Sequence, residues 1–134
     1  MSGYTPNAKQ HAVLGPLDSR YVDIDALPWI DARPGVRMKV LYKDNDSKHA
    51  TILFETEPGT VLTEHEHTGI EQTFVLEGSL EDEHGSCTAG SFVWRPVGSR
   101  HTARTPNGAK FIVFFQNSAR TLENGRLFPN YDES

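Results

Sequence analysis

Cysteine is nearly missing from this sequence: Cys87 is the single one among 134 residues. A lone cysteine cannot close an intrachain disulfide, so a reducing compartment, the cytoplasm, is expected. Its simplest role is that of a small buried hydrophobe. Excess positive charge is missing too. Thirteen Lys and Arg stand against 18 Asp and Glu, a net charge of −5, and the basic residues are scattered. Nucleic acid is therefore not expected as a partner, because phosphate binding needs a basic face. No apolar run approaches the ~18 residues of a membrane span, and residues 1–15 lack the basic-then-apolar pattern of a secretory leader. No membrane partner is expected.

What is present describes one ordinary globular domain. Hydrophobic residues make up 37% and charged residues 23%, and the length suits a single core. Residues 1–35 read as an N-terminal arm, polar and broken by Pro6, Gly15 and Pro16, with Trp29 as an anchor. Residues 36–117 read as the core of the domain and 118–134 as a C-terminal tail. Apolar and basic residues alternate over 36–42, the mark of a half-buried strand. Further strands are expected at 50–55, 72–76, 91–95, 101–104 and 111–116. Between them lie turn clusters such as Asp44-Asn45-Asp46-Ser47, Pro58-Gly59 and Pro106-Asn107-Gly108. Asn124-Gly125 in the tail suggests one more hairpin. Short β-rich runs punctuated by Gly and Pro indicate an all-β sandwich or barrel.

His65-Glu66-His67 carries the chemistry. In a strand, residues i and i+2 share a face, so two imidazoles can reach one metal ion at about 2.0–2.1 Å. The short, Gly-containing turn Thr68-Gly69-Ile70 lets Glu71 present a carboxylate to the same point. His101 follows the turn Pro96-Val97-Gly98 and can supply a third imidazole. Three imidazoles and one carboxylate suit Fe, Mn, Zn, Ni or Cu. Strand parity turns Glu64 and Glu66 away from this face and places Thr73, Val75 and Ala103 along the cavity beside the ion. His11, His49 and His84 lie outside the pattern. The run Glu81-Asp82-Glu83 reads as a solvated edge.

The spacings resemble a known family. Gly59, five residues, His65-x-His67, three residues, Glu71, six residues and Gly78 form the first cupin motif. Gly90, five residues, Pro96-x-Gly98, two residues and His101 form the second. The resemblance implies a cupin (RmlC-like) jelly-roll barrel, a double-stranded β-helix, over the whole chain. One position departs: the family often carries Asn where this chain has Thr105. The runs Val75-Leu76-Glu77-Gly78-Ser79 and Arg95-Pro96-Val97-Gly98-Ser99-Arg100-His101-Thr102 are similar to one branch in particular. That branch includes the cupin domain of ChrR-type anti-sigma factors and proteins like acetylacetone dioxygenase and 2,4'-dihydroxyacetophenone dioxygenase.

The resemblance implies one divalent transition metal per chain, Fe(II) or Zn foremost and Ni or Mn as further candidates, held by His65, His67, Glu71 and His101. It implies a dioxygenase of a small ketone, diketone or aromatic compound, or alternatively a zinc-bearing ligand sensor or structural module. Acetylacetone dioxygenase is expected to use three histidines alone, whereas this chain keeps Glu71. Cupins of this size resemble proteins that pair through an N-terminal arm, and Tyr21, Val22, Ile24 and Trp29 make this arm apolar enough for that. A homodimer with a small-molecule ligand is the expectation.

Overall fold

Alternating apolar residues and well-placed turn glycines fold this chain into a curled antiparallel sheet, here described from a computed structural model. The described residues are 3–116, 119–121 and 127–128; the side chains of 63–67 and of everything beyond 116 lie outside them. The strands are β1 (Ile30–Arg33), β2 (Val36–Asp44), β3 (His49–Thr56), β4 (Thr60–His67), β5 (Glu71–Asp82) and β6 (Gly85–Thr88). They continue with β7 (Phe92–Arg95), β8 (Arg100–Thr105), β9 (Ala109–Phe115), β10 (Ala119–Thr121) and β11 (Leu127–Phe128). The expected strands are all present, several of them longer than the sequence pattern suggests. Among the described residues, no helix is long and apolar enough to cross a membrane.

The long strand β5 joins two halves of the barrel. Its first half pairs with β9 on one edge and β7 on the other. Its second half pairs with β6 and, at Glu81, with β8. Pairing with β9 passes through a register shift between Val75 and Glu77 and ends at Gly78, which takes φ 74°; the new partners begin at Ser79. A Cβ on Gly78 would lie 2.0 Å from the Gly108 carbonyl oxygen, so no other residue fits without moving the backbone. The first sheet runs β1-β2-β3-β9-β5 and the second continues β5-β8-β4-β10-β11. The β10–β11 pair flanks Asn124-Gly125, which lies outside the described residues.

Inward side chains of the two sheets form one core, including Met38, Ile52, Val75, Ala103 and Val113. Phe54 stacks on Phe111 at 5.5 Å and meets Phe115 edge-on at 6.3 Å, geometries that favour aromatic pairs. Cys87 is buried in this core, as expected of a small hydrophobe. The N-terminal arm folds along the outside of β2 on its own barrel. Tyr4 bridges to Lys43, and Lys39 donates to the Ile24 carbonyl at 2.8 Å. The Trp29 ring lies 4.4 Å from the Arg37 guanidinium and 4.8 Å from the Lys39 ammonium. The arm thereby buries a lysine that strand alternation alone would leave in water.

Candidate metal centre

The centre is built where β4, β5 and β8 approach one another. On β4 and β8, Leu62 stands opposite Ala103, both buried. The next pair along is His65 opposite His101. Three residues advance on β4 while two advance on β8, which is the signature of a β-bulge. Strict alternation from Leu62 would carry Glu64 and Glu66 onto the inward face. The bulge inserts one residue and transfers that register position to His65, with His67 two further on. The side chains of His65 and His67 lie outside the described residues, so the backbone register alone locates them.

Glu71 and His101 are described in full. Glu71 opens β5 opposite Phe115 on one side and Arg95 on the other, both buried, which sets it on the inward face. His101 is delivered by the turn before β8. There the Ser99 amide donates to the Pro96 carbonyl at 3.1 Å and Gly98 takes φ 85°, as a type II turn requires at its third position. His101 is 5% exposed. Glu71, His101 and Ala103 line one small chamber of about 30 Å³, walled by Leu62, Leu80 and Phe115. Thr73 and Val75 are fully buried on the inward face of β5. Among the described residues, no three His, Cys, Asp or Glu side chains form a metal-holding group. The carboxylate and the imidazole that share the chamber are an oxygen and a nitrogen donor, a set that suits borderline transition metals.

One part of the site departs from the sequence expectation. The run Glu81-Asp82-Glu83 is not a solvated edge throughout. The Asp82 side chain is 8% exposed and accepts a 2.5 Å bond from Arg95 Nη1. Its other oxygen accepts the amides of His84 at 2.7 Å and Gly85 at 3.1 Å. Its Oδ2 lies 3.8 Å from His101 Nδ1. Burial pushes the Asp82 carboxyl up, but the His84 amide and the Arg95 guanidinium outweigh it and hold the pKa below the ordinary value. Parity offers a signal: Leu80 points inward, so Asp82 two residues on must do so as well. Glu83 is exposed, and Glu81 reaches Arg104 at 3.8 Å. The Cys87 thiol is pushed up by burial, partly offset by Arg95. His84 is exposed in the turn and His11 is tied to the Tyr21 carbonyl at 2.8 Å, both remote from a ligand role.

A curled jelly-roll barrel with two Gly-punctuated motifs converging on one inner chamber defines a cupin. The profile of the ChrR cupin-like domain matches residues 18–120, and the chain belongs to that family. No curated protein matches it significantly. Among solved structures, an acetylacetone dioxygenase from Acinetobacter johnsonii is similar in fold, with a TM-score of 0.74 and 19% identity over 86% of each chain. An RmlC-like cupin from Ralstonia eutropha has a TM-score of 0.73 and 20% identity, over 83% of this chain and 77% of that one. The anti-sigma factor ChrR, in complex with SigE from Rhodobacter sphaeroides, has a TM-score of 0.61 and 22% identity. That match covers 69% of this chain and 51% of the other.

Proposed function

We propose that this cupin is a metal-dependent dioxygenase acting on a small ketone, diketone or aromatic compound. In this reading His65, His67, Glu71 and His101 hold one divalent transition metal, Fe(II) in the active form. The observation that carries it is the convergence of Glu71 and His101 on one small, mostly apolar chamber, with His65 in register opposite His101. The metal, when bound, supplies open positions at which a substrate oxygen and dioxygen can lie side by side. The protein's part is to fix ligand geometry through the β4 bulge and the Pro96–Ser99 turn, and to exclude water with Leu62, Leu80 and Phe115. A cytoplasmic, reducing setting accords with the unpaired Cys87.

The test is the Glu71→Ala variant, measured for metal content, melting temperature and oxygen uptake on one preparation. A dioxygenase should keep weakened metal binding, because three imidazoles remain, and lose at least about tenfold in turnover. Unchanged oxygen uptake with a large loss of stability would overturn this reading. It would favour the second one, a zinc-bearing ligand sensor or structural module. The small chamber volume is the specific observation on that side.

Assembly as a homodimer belongs to the same proposal. The outer faces of β5 and β9 expose Phe74, Leu76 and Phe114, an apolar surface suited to a second copy. A monomer mass in sedimentation at micromolar concentration would count against it.

A further inference from the structure

The inner chamber is too small for an organic substrate, but a larger space adjoins it. β6 and β7 both pair with β5, each with a different half, and neither has a second strand partner among the described residues. The barrel wall is therefore incomplete between them. A cleft of about 440 Å³ occupies the seam, within the range of small-molecule sites. Phe92 and Trp94, both more than half exposed, stand at one lip, and Cys87 lies on the other side. The buried Asp82, Arg95 and His101 make up its deep end. His101 lines both this cleft and the inner chamber, so the cleft adjoins the candidate metal centre.

Arg95 indicates what the cleft would take. It is 8% exposed, and one of its terminal nitrogens is engaged by Asp82. Its Nε is buried with no hydrogen-bond partner among the described residues. A guanidinium has five N–H donors in a planar fork, and one carboxylate uses part of them. A buried donor left without a partner is unfavourable until an acceptor arrives. Asp82 is the one carboxylate among the described residues that line the cleft, and it is already held by Arg95 and by the amides of His84 and Gly85.

We propose that the seam between β6 and β7 binds a small organic anion. An apolar or aromatic body would lie against Phe92 and Trp94, and a carboxylate or enolate head would take the remaining donors of Arg95 beside His101. Binding stands independently of any catalysis. That the bound anion is the substrate rests on the dioxygenase reading, and would narrow its substrates to carboxylates and enolisable diketones.

Isothermal titration of the full chain with benzoate, and with benzamide as its neutral isostere, tests this. The protein is used as purified and again after chelation of metal, so that direct metal coordination is separated from Arg95. Benzoate should bind at least about tenfold more tightly than benzamide in both preparations, since charge-assisted bonds are the stronger ones. The double variant Asp82→Asn/Arg95→Gln removes both charges together and should lose that preference while still melting cooperatively. Where it does not fold, Arg95→Lys keeps the charge but not the fork, and should weaken benzoate by about fivefold or more. Equal affinity for the two probes, no binding of benzoate, or full retention of benzoate binding by the variants would overturn the proposal. Benzoate bound at Arg95 by a protein that consumes no oxygen would keep the anion site and remove the dioxygenase.

Discussion

His101 and Thr105 lie at opposite ends of the same six-residue strand, and the two ends of the barrel they mark are held by different forces. At the Thr105 end the chain is sealed by neutral hydrogen bonds. Thr56 Oγ1 donates to Thr105 Oγ1 at 2.8 Å, and the Thr105 carbonyl accepts the amides of Gly59 and Gly108 at 2.9 and 3.0 Å. Thr105 itself is fully buried, and it occupies the position where the family often carries Asn. At the His101 end, by contrast, charged groups are taken out of water: Asp82, Arg95 and the half-buried Glu71 gather around one imidazole. Buried charges are costly unless paired and fully hydrogen-bonded. A fold selected for stability alone would treat the two ends alike. The asymmetry sets the His101 end apart as the place where local rules are broken and compensated elsewhere, which is where the proposed site lies.

The strongest way to break this contrast is to unpair the buried ions. Arg95→Ala leaves the Asp82 carboxylate without its cation and should cost about 3–5 kcal/mol. The two amide bonds from His84 and Gly85 favour the lower part of that range. Replacing both partners, as in Asp82→Asn/Arg95→Met, should restore most of the loss, to within about 1 kcal/mol of the parent. Urea denaturation of the three proteins decides it. If the single variant costs no more than the double one, the His101 end is not under the electrostatic tension described here.

The Thr105 end should respond less. Thr105→Val removes one hydroxyl and strands another at Thr56, for an expected loss of about 1–3 kcal/mol. Thr56→Val/Thr105→Val removes both and should lie closer to the parent, since no buried group is then left without a partner. Thermal melts of the pair measure it. A double variant weaker than the sum of the singles would mean that the hydroxyls act through other contacts, such as the Glu57 carbonyl 3.4 Å from Thr105 Oγ1.

The smallest effect belongs to an exposed ion cluster near the Thr105 end. Burial pushes the Glu55 carboxyl up, but Arg37 and then Lys110 draw its pKa below the ordinary 4.5. A carboxyl with a lowered folded pKa stabilises the protein fully above the ordinary value. That stabilisation is lost as the pH falls through the lowered one. Arg37 Nε bonds Glu55 at 2.9 Å and Lys110 lies at 3.5 Å, yet all three side chains remain solvent-accessible. Glu55→Gln should therefore cost only about 0.5 kcal/mol at neutral pH in low salt. The difference should vanish in acid and shrink as salt is added. Persistence in acid would mean that Glu55 contributes by packing.

Much of the fold and of the candidate site is legible in the sequence, because it is local. Val36, Met38 and Val40 mark an inward strand face by alternation, and Pro96-Val97-Gly98 marks the turn that aims His101. His84 sits in a hairpin turn, as its neighbours imply. The Glu81-Asp82-Glu83 run misleads because its charge pattern is that of a surface. Its middle member is drawn inward by Arg95, thirteen residues away in sequence and on another strand. The bulge on β4 is equally hidden. Parity names His65 and His67 as the pair facing inward, but parity counted from Leu62 would choose Glu64 and Glu66.

The sequence by itself determined the all-β cupin class and named the candidate ligands His65, His67, Glu71 and His101. Period-two alternation, positive-φ glycines and motif spacing act over a few residues and need no partner strand. Tertiary structure alone decided which end of the barrel holds charge, how β4 slips by one residue, and where β6 and β7 leave the wall open. Those features depend on how the two halves of β5 choose their neighbours. That choice is made by contacts between strands far apart in the chain, which no local pattern encodes.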